Sequence, residues 1–446
     1  MQHFITPANA PPFPEIDCGE GVYLWDRAGK RYLDGSSGAV VCNIGHGNAR
    51  VKAALLKQVD RVSFAYGRVW ESEANEDMAA RLVRMADWGY GACFFVSGGT
   101  EAVEAALKLA RQLSVARGRP DRWKVISRAP SYHGSTLAVL GVTGDPDFGG
   151  PFAPMFVMHP KVPAPLSYRP AAGMDAEAYA THCARELERR IAEEGEDTVL
   201  AFIMEPVGGV STGALVAPDA YYREIRQICD RHGVLLIFDE VMSGAGRTGK
   251  FLAAHHWREC RPDIVVLAKG LSGGYAPLGA VMTTGEIVDE VRAMGGFLHG
   301  HTYAANPLAC AVGAAVLDEL ERRELIARAA AMGERLQMRL KEVQARRDCI
   351  GDVRGRGLLC AAEIVADRAT KRIFPAEAGA MDKLRALAME EGLMLLSRRT
   401  SGGRFGEWLM ACPPLIVSEE EVDMFAEMLD CALKRFEDWA AREGFV

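Results

Sequence analysis

Excess positive charge is missing from this chain, which carries 52 lysines and arginines against 59 acids, a formal net charge of -7. A nucleic-acid surface needs clustered basic residues, so that class is set aside. Paired cysteines are missing as well: the 11 cysteines are scattered and none forms a C-x-x-C pair. Buried thiols in a reducing cytoplasm are therefore expected, with no disulfide framework and no metal site. Nowhere do about eighteen apolar residues run together unbroken, so no membrane span is expected. Residues 1–14 lack the basic head and apolar run of a signal peptide. Internal repeats and low-complexity stretches are absent. No G-x-G-x-x-G follows an early strand, which weakens a plain dinucleotide-binding dehydrogenase.

What is present is globular composition, 49% hydrophobic and 25% charged over 446 residues. That length exceeds one ordinary domain, and two domains in one body are expected. Residues 21–26 and 28–34 read as short alternating strands joined by a turn. Residues 49–60, behind the cap Asn48, and 73–85 read as amphipathic helices. From 93 onward the pattern changes to short apolar runs, 93–96, 123–127, 199–204, 234–238 and 264–268. Helical stretches at 101–117, 174–194 and 220–232 lie between them. Buried strands separated by crossovers imply a mainly parallel sheet covered on both faces. The apolar stretch 304–317 reads as a buried helix. Beyond about 318 the chain turns helical and charged, with helices at 319–347, 381–391 and 419–442 and strands of a smaller sheet within 355–364 and 393–413. The division drawn from this is 1–60 as an N-terminal segment joining the small domain, 61–317 as the large domain and 318–446 as the small one.

Chemistry concentrates at the carboxyl ends of the expected strands, where open α/β sheets bind ligands. Ser97-Gly98-Gly99-Thr100-Glu101 ends a strand, turns and opens a helix. Its exposed N–H groups suit a phosphate, although small residues capping a helix look the same. The strand before Asp239-Glu240 delivers two acids, of which one could pair with a protonated ring nitrogen or merely cap a helix. Lys269 follows an apolar strand directly, a poor place for a solvated lysine. Burial there would lower its pKa and favour Schiff-base chemistry. Asp239 and Lys269 stand thirty positions apart, the length of one strand–helix–strand crossover. Tyr132, in Ser131-Tyr132-His133-Gly134, could stack on a planar group or belong to the core rim.

Taken together these residues resemble the class III pyridoxal-phosphate aminotransferases, of the aspartate-aminotransferase-like fold (fold type I). The likeness is carried by residues 97–102, 132–134, Glu205-Pro206, 238–249, 268–279 and 301–307, with Gly45-His46-Gly47 near the start and Pro413-Pro414-Leu415 near the end. It implies an α/β large domain with a mainly parallel seven-stranded sheet and a smaller α+β domain. By that resemblance Lys269 would bind pyridoxal 5'-phosphate as a Schiff base and shuttle the reaction's proton, and Asp239 would keep the pyridine nitrogen protonated. Val241 and Tyr132 would flank the ring with His133 nearby, Gly99 and Thr100 would bind the phosphate, and Glu205 would stand near the phenolic oxygen and the substrate. Thr302 would reach the phosphate of a partner subunit's cofactor, which implies a homodimer with shared active sites.

Two departures narrow the substrate. Relatives that use 2-oxoglutarate usually have glutamine three places after the cofactor aspartate, and Met242 stands there. Ornithine- and 4-aminobutyrate-type members often carry an acid five places after the glutamate of Glu205-Pro206, and Val210 stands there. The sequence is similar to the ω-amino acid and amine:pyruvate transaminase group, with an amine or ω-amino acid donor and a small keto acid acceptor in a ping-pong cycle. Arg398 is the favoured partner for a substrate carboxylate, with Arg399 and Arg404 as alternatives and Tyr132 lining the same space. A 2-oxoglutarate-using enzyme, or a decarboxylase or aminomutase of the same fold, would share every cofactor residue. Loss of the lysine would instead mark a non-catalytic relative, and Lys269 is present.

Overall fold

Short β-branched and aliphatic runs bounded by glycine and acid turns can hide both faces only inside a covered sheet. The computed structural model, which describes residues 13–446, places them there. Residues 1–12, on which most of the expectation about a signal peptide rests, lie outside the described residues. In chain order the strands are β1 (Ile16–Glu20), β2 (Tyr23–Asp26), β3 (Arg31–Asp34), β4 (Tyr90–Val96), β5 (Lys124–Ala129), β6 (Lys161–Pro163), β7 (Val199–Met204) and β8 (Leu235–Asp239). They continue as β9 (Ile264–Leu267), β10 (Gly279–Thr284), β11 (Ile350–Arg356), β12 (Leu359–Ile364), β13 (Leu393–Met394), β14 (Leu396–Thr400) and β15 (Gly406–Ala411).

Seven strands form the central sheet in the order β4-β10-β9-β8-β7-β5-β6. All run parallel except β10, which pairs antiparallel with both β4 and β9. Alternation along the strands divides the core in two. Phe202, Phe238 and Val265 pack on one face, while Ile203, Ile237 and Val266 pack on the other against Ala102, Val103 and Ala106 of the helix Gly99–Ala116. With Asp239 in register with Val266, the ends of β8 and β9 lie side by side. Antiparallel β10 brings its start, just after Leu278, to the same edge as the end of β4. The site is built along that edge.

Two four-stranded sheets complete the fold. β1-β2-β3-β13 joins the early chain to the late chain through the parallel pair β3 and β13, and β11-β12-β15-β14 is antiparallel throughout. Among the described residues no helix is long and apolar enough to cross a membrane.

The expected seven-stranded sheet is present, and the five expected apolar runs are β4, β5, β7, β8 and β9. Strands β6 and β10 were not read from the pattern. The expected helix 319–347 is in fact the end of Pro307–Arg322 and the whole of Leu325–Arg346, broken where Glu324 adopts a left-handed conformation. The apolar helix begins at Pro307 rather than 304, because the Asn306 side chain caps it by accepting the Ala309 N–H. The expected strand 355–364 is a hairpin turning at Gly357, whose φ is +56°. The expected 393–413 segment divides among β13, β14 and β15, which lie in two different sheets.

Candidate active site

Asp239, the last residue of β8, is only 4% exposed. Its Oδ2 lies 2.8 Å from Nδ1 of buried His133, and its Oδ1 accepts the Val241 N–H at 3.0 Å. The carboxylate is therefore pinned in orientation by two neighbours. With Nδ1 spent on Asp239, the buried Nε2 of His133 has no partner among the described residues. Lys269 comes two residues after β9 and carries a φ of +45°, a conformation that disfavours a side chain and concentrates at functional positions. Gly270, the next residue, packs against Asn43 so closely that an added Cβ would come within 2.1 Å of its side chain. Lys269 is partly accessible through a cavity, yet enough protein encloses it that burial lowers its pKa, against the opposing pull of Asp239 and Glu205.

At the end of β4, Gly98 precedes the helix Gly99–Ala116 with no side-chain cap, so the first N–H groups are left for a ligand. Glycine is required at 99 because a Cβ would press within 2.8 Å of the Val241 side chain. Thr100 Oγ1 accepts the Ser135 N–H at 3.3 Å and keeps its own proton to donate. Glu205, just past β7, is buried; its Oε1 accepts the Gly209 N–H at 2.9 Å while Oε2 has no partner among the described residues. Burial raises its pKa, with His133 the leading opposing influence.

These groups line one cavity of about 430 Å³. Gly99, Thr100, Tyr132, His133, Glu205, Asp239, Val241 and Lys269 all face it, so eight of the residues expected from the sequence are brought together. Apolar Val41, Val207, Val210, Met242 and Leu278 form much of the remaining wall. Of these, Met242 and Val210 were singled out as departures. Val41, Val207 and Leu278 carry no chemical signal that sequence reading could have used.

Other expected residues do not reach the cavity. Thr302 is exposed and outside it. Arg398 stands behind its rim: the guanidinium bonds Asp145 Oδ2 at 2.7 Å and Asp147 Oδ2 at 3.1 Å and lies 4.4 Å from the Phe148 ring. Phe148 in turn packs on Tyr132 with ring centroids 4.6 Å apart. Arg399 is paired with buried Glu407 and donates to Phe374 O at 3.0 Å, and Arg404 is exposed over Phe405. Of the three arginines, Arg398 alone connects to the cavity wall. The acids that hold it, Asp145 and Asp147, were missed, being some 250 positions away in sequence.

An uncapped helix start for a phosphate, a buried oriented carboxylate for a ring nitrogen, a lysine for an aldehyde and two orphaned polar atoms, His133 Nε2 and Glu205 Oε2, fit pyridoxal phosphate. Comparison with known proteins agrees. The aminotransferase class-III family model matches residues 5–433. The chain is 36% identical over 423 residues to the aminotransferase YodT of Bacillus subtilis, covering 94% of this chain and 95% of that protein. It is 36% identical over 441 residues to the diaminobutyrate–2-oxoglutarate transaminase of Halomonas elongata, covering 97% and 92%. Among solved structures it superposes on the omega transaminase from Pseudomonas jessenii in complex with PMP with a TM-score of 0.91, at 32% identity, covering 98% of this chain and 97% of that one.

Proposed function

The chain belongs to the class-III aminotransferases, enzymes that use pyridoxal phosphate, and from that premise we propose that it moves an amino group from an amine or ω-amino acid to a small, pyruvate-like keto acid by a ping-pong cycle. The observation that carries the reading is the meeting of Lys269 and His133-pinned Asp239 in one enclosed cavity. The bound cofactor supplies the electron sink that lets a donor's carbon–hydrogen bond break. In this reading Lys269 Nζ holds the cofactor between turnovers and, once released, takes the proton from the donor carbon. Its lowered pKa leaves more of the neutral amine that this step needs. Asp239 holds a proton on the ring nitrogen, and His133 fixes the carboxylate's direction. Gly99 and Thr100 anchor the phosphate at the helix start, Val241 and Tyr132 bound the ring's space, and Glu205 offers its free oxygen close to the reacting end.

Substrate choice follows from the wall. Val207, Val210 and Met242 suit apolar donor groups, and among the described residues no arginine lines the cavity. Arg398, held by Asp145 and Asp147 behind Phe148, is the proposed receptor for an acceptor's carboxylate. We place the enzyme in the cytoplasm, since all 11 cysteines are free. We divide it at 1–60, 61–317 and 318–446 and propose a homodimer in which Thr302 serves the partner's site. Exposed Phe64, lying 5.9 Å from exposed Tyr303, supplies an apolar face beside Thr302 for that contact.

The test is an absorption spectrum of the purified protein with pyridoxal phosphate, before and after alanine. A cofactor band that bleaches with alanine, returns with pyruvate and is missing from Lys269→Ala is the expected result. A band that ignores alanine and responds to glutamate would keep the aminotransferase and transfer the acceptor to 2-oxoglutarate. Amine consumption without need of a keto acid would point to a decarboxylase or aminomutase instead.

A further inference from the structure

The segment that carries Glu205, Val207 and Val210 along the cavity ends in a tight turn at residues 210–213. Three of that turn's four carbonyls, those of Val210, Thr212 and Gly213, accept from side chains of the distant antiparallel sheet. Fully buried Trp408, on β15, donates its Nε1–H to Val210 O at 2.7 Å. Arg354, on β11, donates from Nε to Gly213 O at 2.7 Å and from Nη2 to Thr212 O at 3.3 Å. The Arg354 guanidinium lies 5.5 Å from the Trp408 ring and is held by Glu363 at 2.7 Å and Asp352 at 2.9 Å. Buried Glu363 is itself fixed by Arg169 at 2.7 Å. Contact is close enough to exclude a side chain at Gly213, where an added Cβ would approach the indole within 2.6 Å.

None of these residues touches the cavity, yet Val210 does. Its side chain faces the substrate space while its carbonyl is bonded from behind. An indole N–H in a dry interior has no water to turn to, so the turn cannot shift outward without stranding that donor. Arg354 adds two further bonds whose donor is held by two carboxylates, Glu363 and Asp352, and charge-assisted bonds are the strong kind. We infer that Trp408 and Arg354 are specificity-determining positioning residues: they set how far the Val210 wall stands from Lys269, and so restrict the donor to small groups on that side. This rests on the reading of the cavity as an aminotransferase substrate site.

The test compares kcat/KM for alanine and for 1-phenylethylamine, each with the small keto acid glyoxylate as acceptor, in the holoenzyme and two variants. Val210→Ala trims the wall itself, and it raises the ratio for the bulky amine over alanine roughly tenfold. Trp408→Phe keeps an aromatic ring under Arg354 while removing the N–H together with part of the indole; it raises the same ratio roughly three- to tenfold, through KM rather than kcat, with the cofactor band unchanged. Should Trp408→Phe fail to fold, Arg354→Lys, which keeps the charge beside Glu363 but gives up the fork to residues 212 and 213, is expected to move the ratio the same way. A merely structural role would lower both amines together. If Val210→Ala widens the preference and neither positioning variant does, the inference is wrong while the aminotransferase reading stands. It is equally wrong if Val210→Ala leaves the ratio unchanged. A wild-type protein with no cofactor band and no amine transfer removes the underlying reading instead.

Discussion

Two acids stand side by side at the end of β8, and their surroundings assign them different work. Asp239 is turned toward His133 and the cavity, whereas Glu240 is wholly buried and takes the N–H of Ala253 at 2.5 Å and of Ala254 at 2.8 Å. Burial pushes the Glu240 carboxyl up to about 8, against the pull of those two N–H groups. The folded chain then keeps a proton that the unfolded chain releases from its ordinary range upward. This contribution to stability is complete below about pH 4.5 and is lost as pH rises through about 8. The wild-type melting temperature is therefore expected to fall between pH 5 and pH 8.5, and that of Glu240→Gln, which cannot ionise, to fall less. Parallel slopes for the two proteins in a thermal melt across that range would contradict the assignment. At this scale the sequence was readable where a chemical group interrupts an apolar run, as at Asp239 and Lys269. It was silent on long-range contacts such as Arg398 with Asp145 or Trp408 with Val210, because nothing local in the sequence marks which residues will meet.

Elements announced themselves where a start signal met a period. The closing helix Glu419–Arg442 was legible to the residue because Ser418 and Glu421 form a reciprocal capping box ahead of its apolar stripe. Strand β10 was not legible: it is antiparallel in a sheet of parallel strands and follows a proline with no crossover helix before it. Nor was the break at Glu324, where charged residues conceal a left-handed turn that only the packing of two helices demands. Gly357 is the counterpart among strands, since a hairpin there needs both a positive φ and the absence of a Cβ. An added Cβ would stand 2.5 Å from the Thr248 backbone. Ser418→Ala is expected to destabilise the protein by about 1 kcal/mol, the usual worth of a helix cap. Gly357→Ala should be more damaging, by about 1–3 kcal/mol from backbone strain with the clash added. The order is checked by urea midpoints of the two variants, and a larger shift for Ser418→Ala would show that the 357 turn relaxes freely.

For the whole molecule, the feature that a single chain leaves unexplained is its apolar exterior. Leu298 is 76% exposed, Trp70 and Val69 are each 67% exposed and Tyr303 is 62% exposed. Scattered apolar residues need no explanation, but here Leu298 and Tyr303 lie on either side of Thr302, which the single chain leaves exposed and outside its own cavity. The proposed homodimer would account for both facts, because one contact would cover the apolar residues and carry Thr302 to the neighbouring phosphate site. A charge placed in that contact would have to be desolvated without a partner, which is strongly unfavourable. Leu298→Asp is therefore expected to shift sedimentation velocity from dimer toward monomer at micromolar protein. Transaminase activity should fall in step with the dimer fraction and return as protein concentration is raised. Thr302→Ala, which leaves the apolar residues intact, should keep the dimer and weaken cofactor retention on dialysis. A Leu298→Asp protein that stays dimeric would place the interface elsewhere on the surface, and a fully active monomer would show that each chain completes its own site.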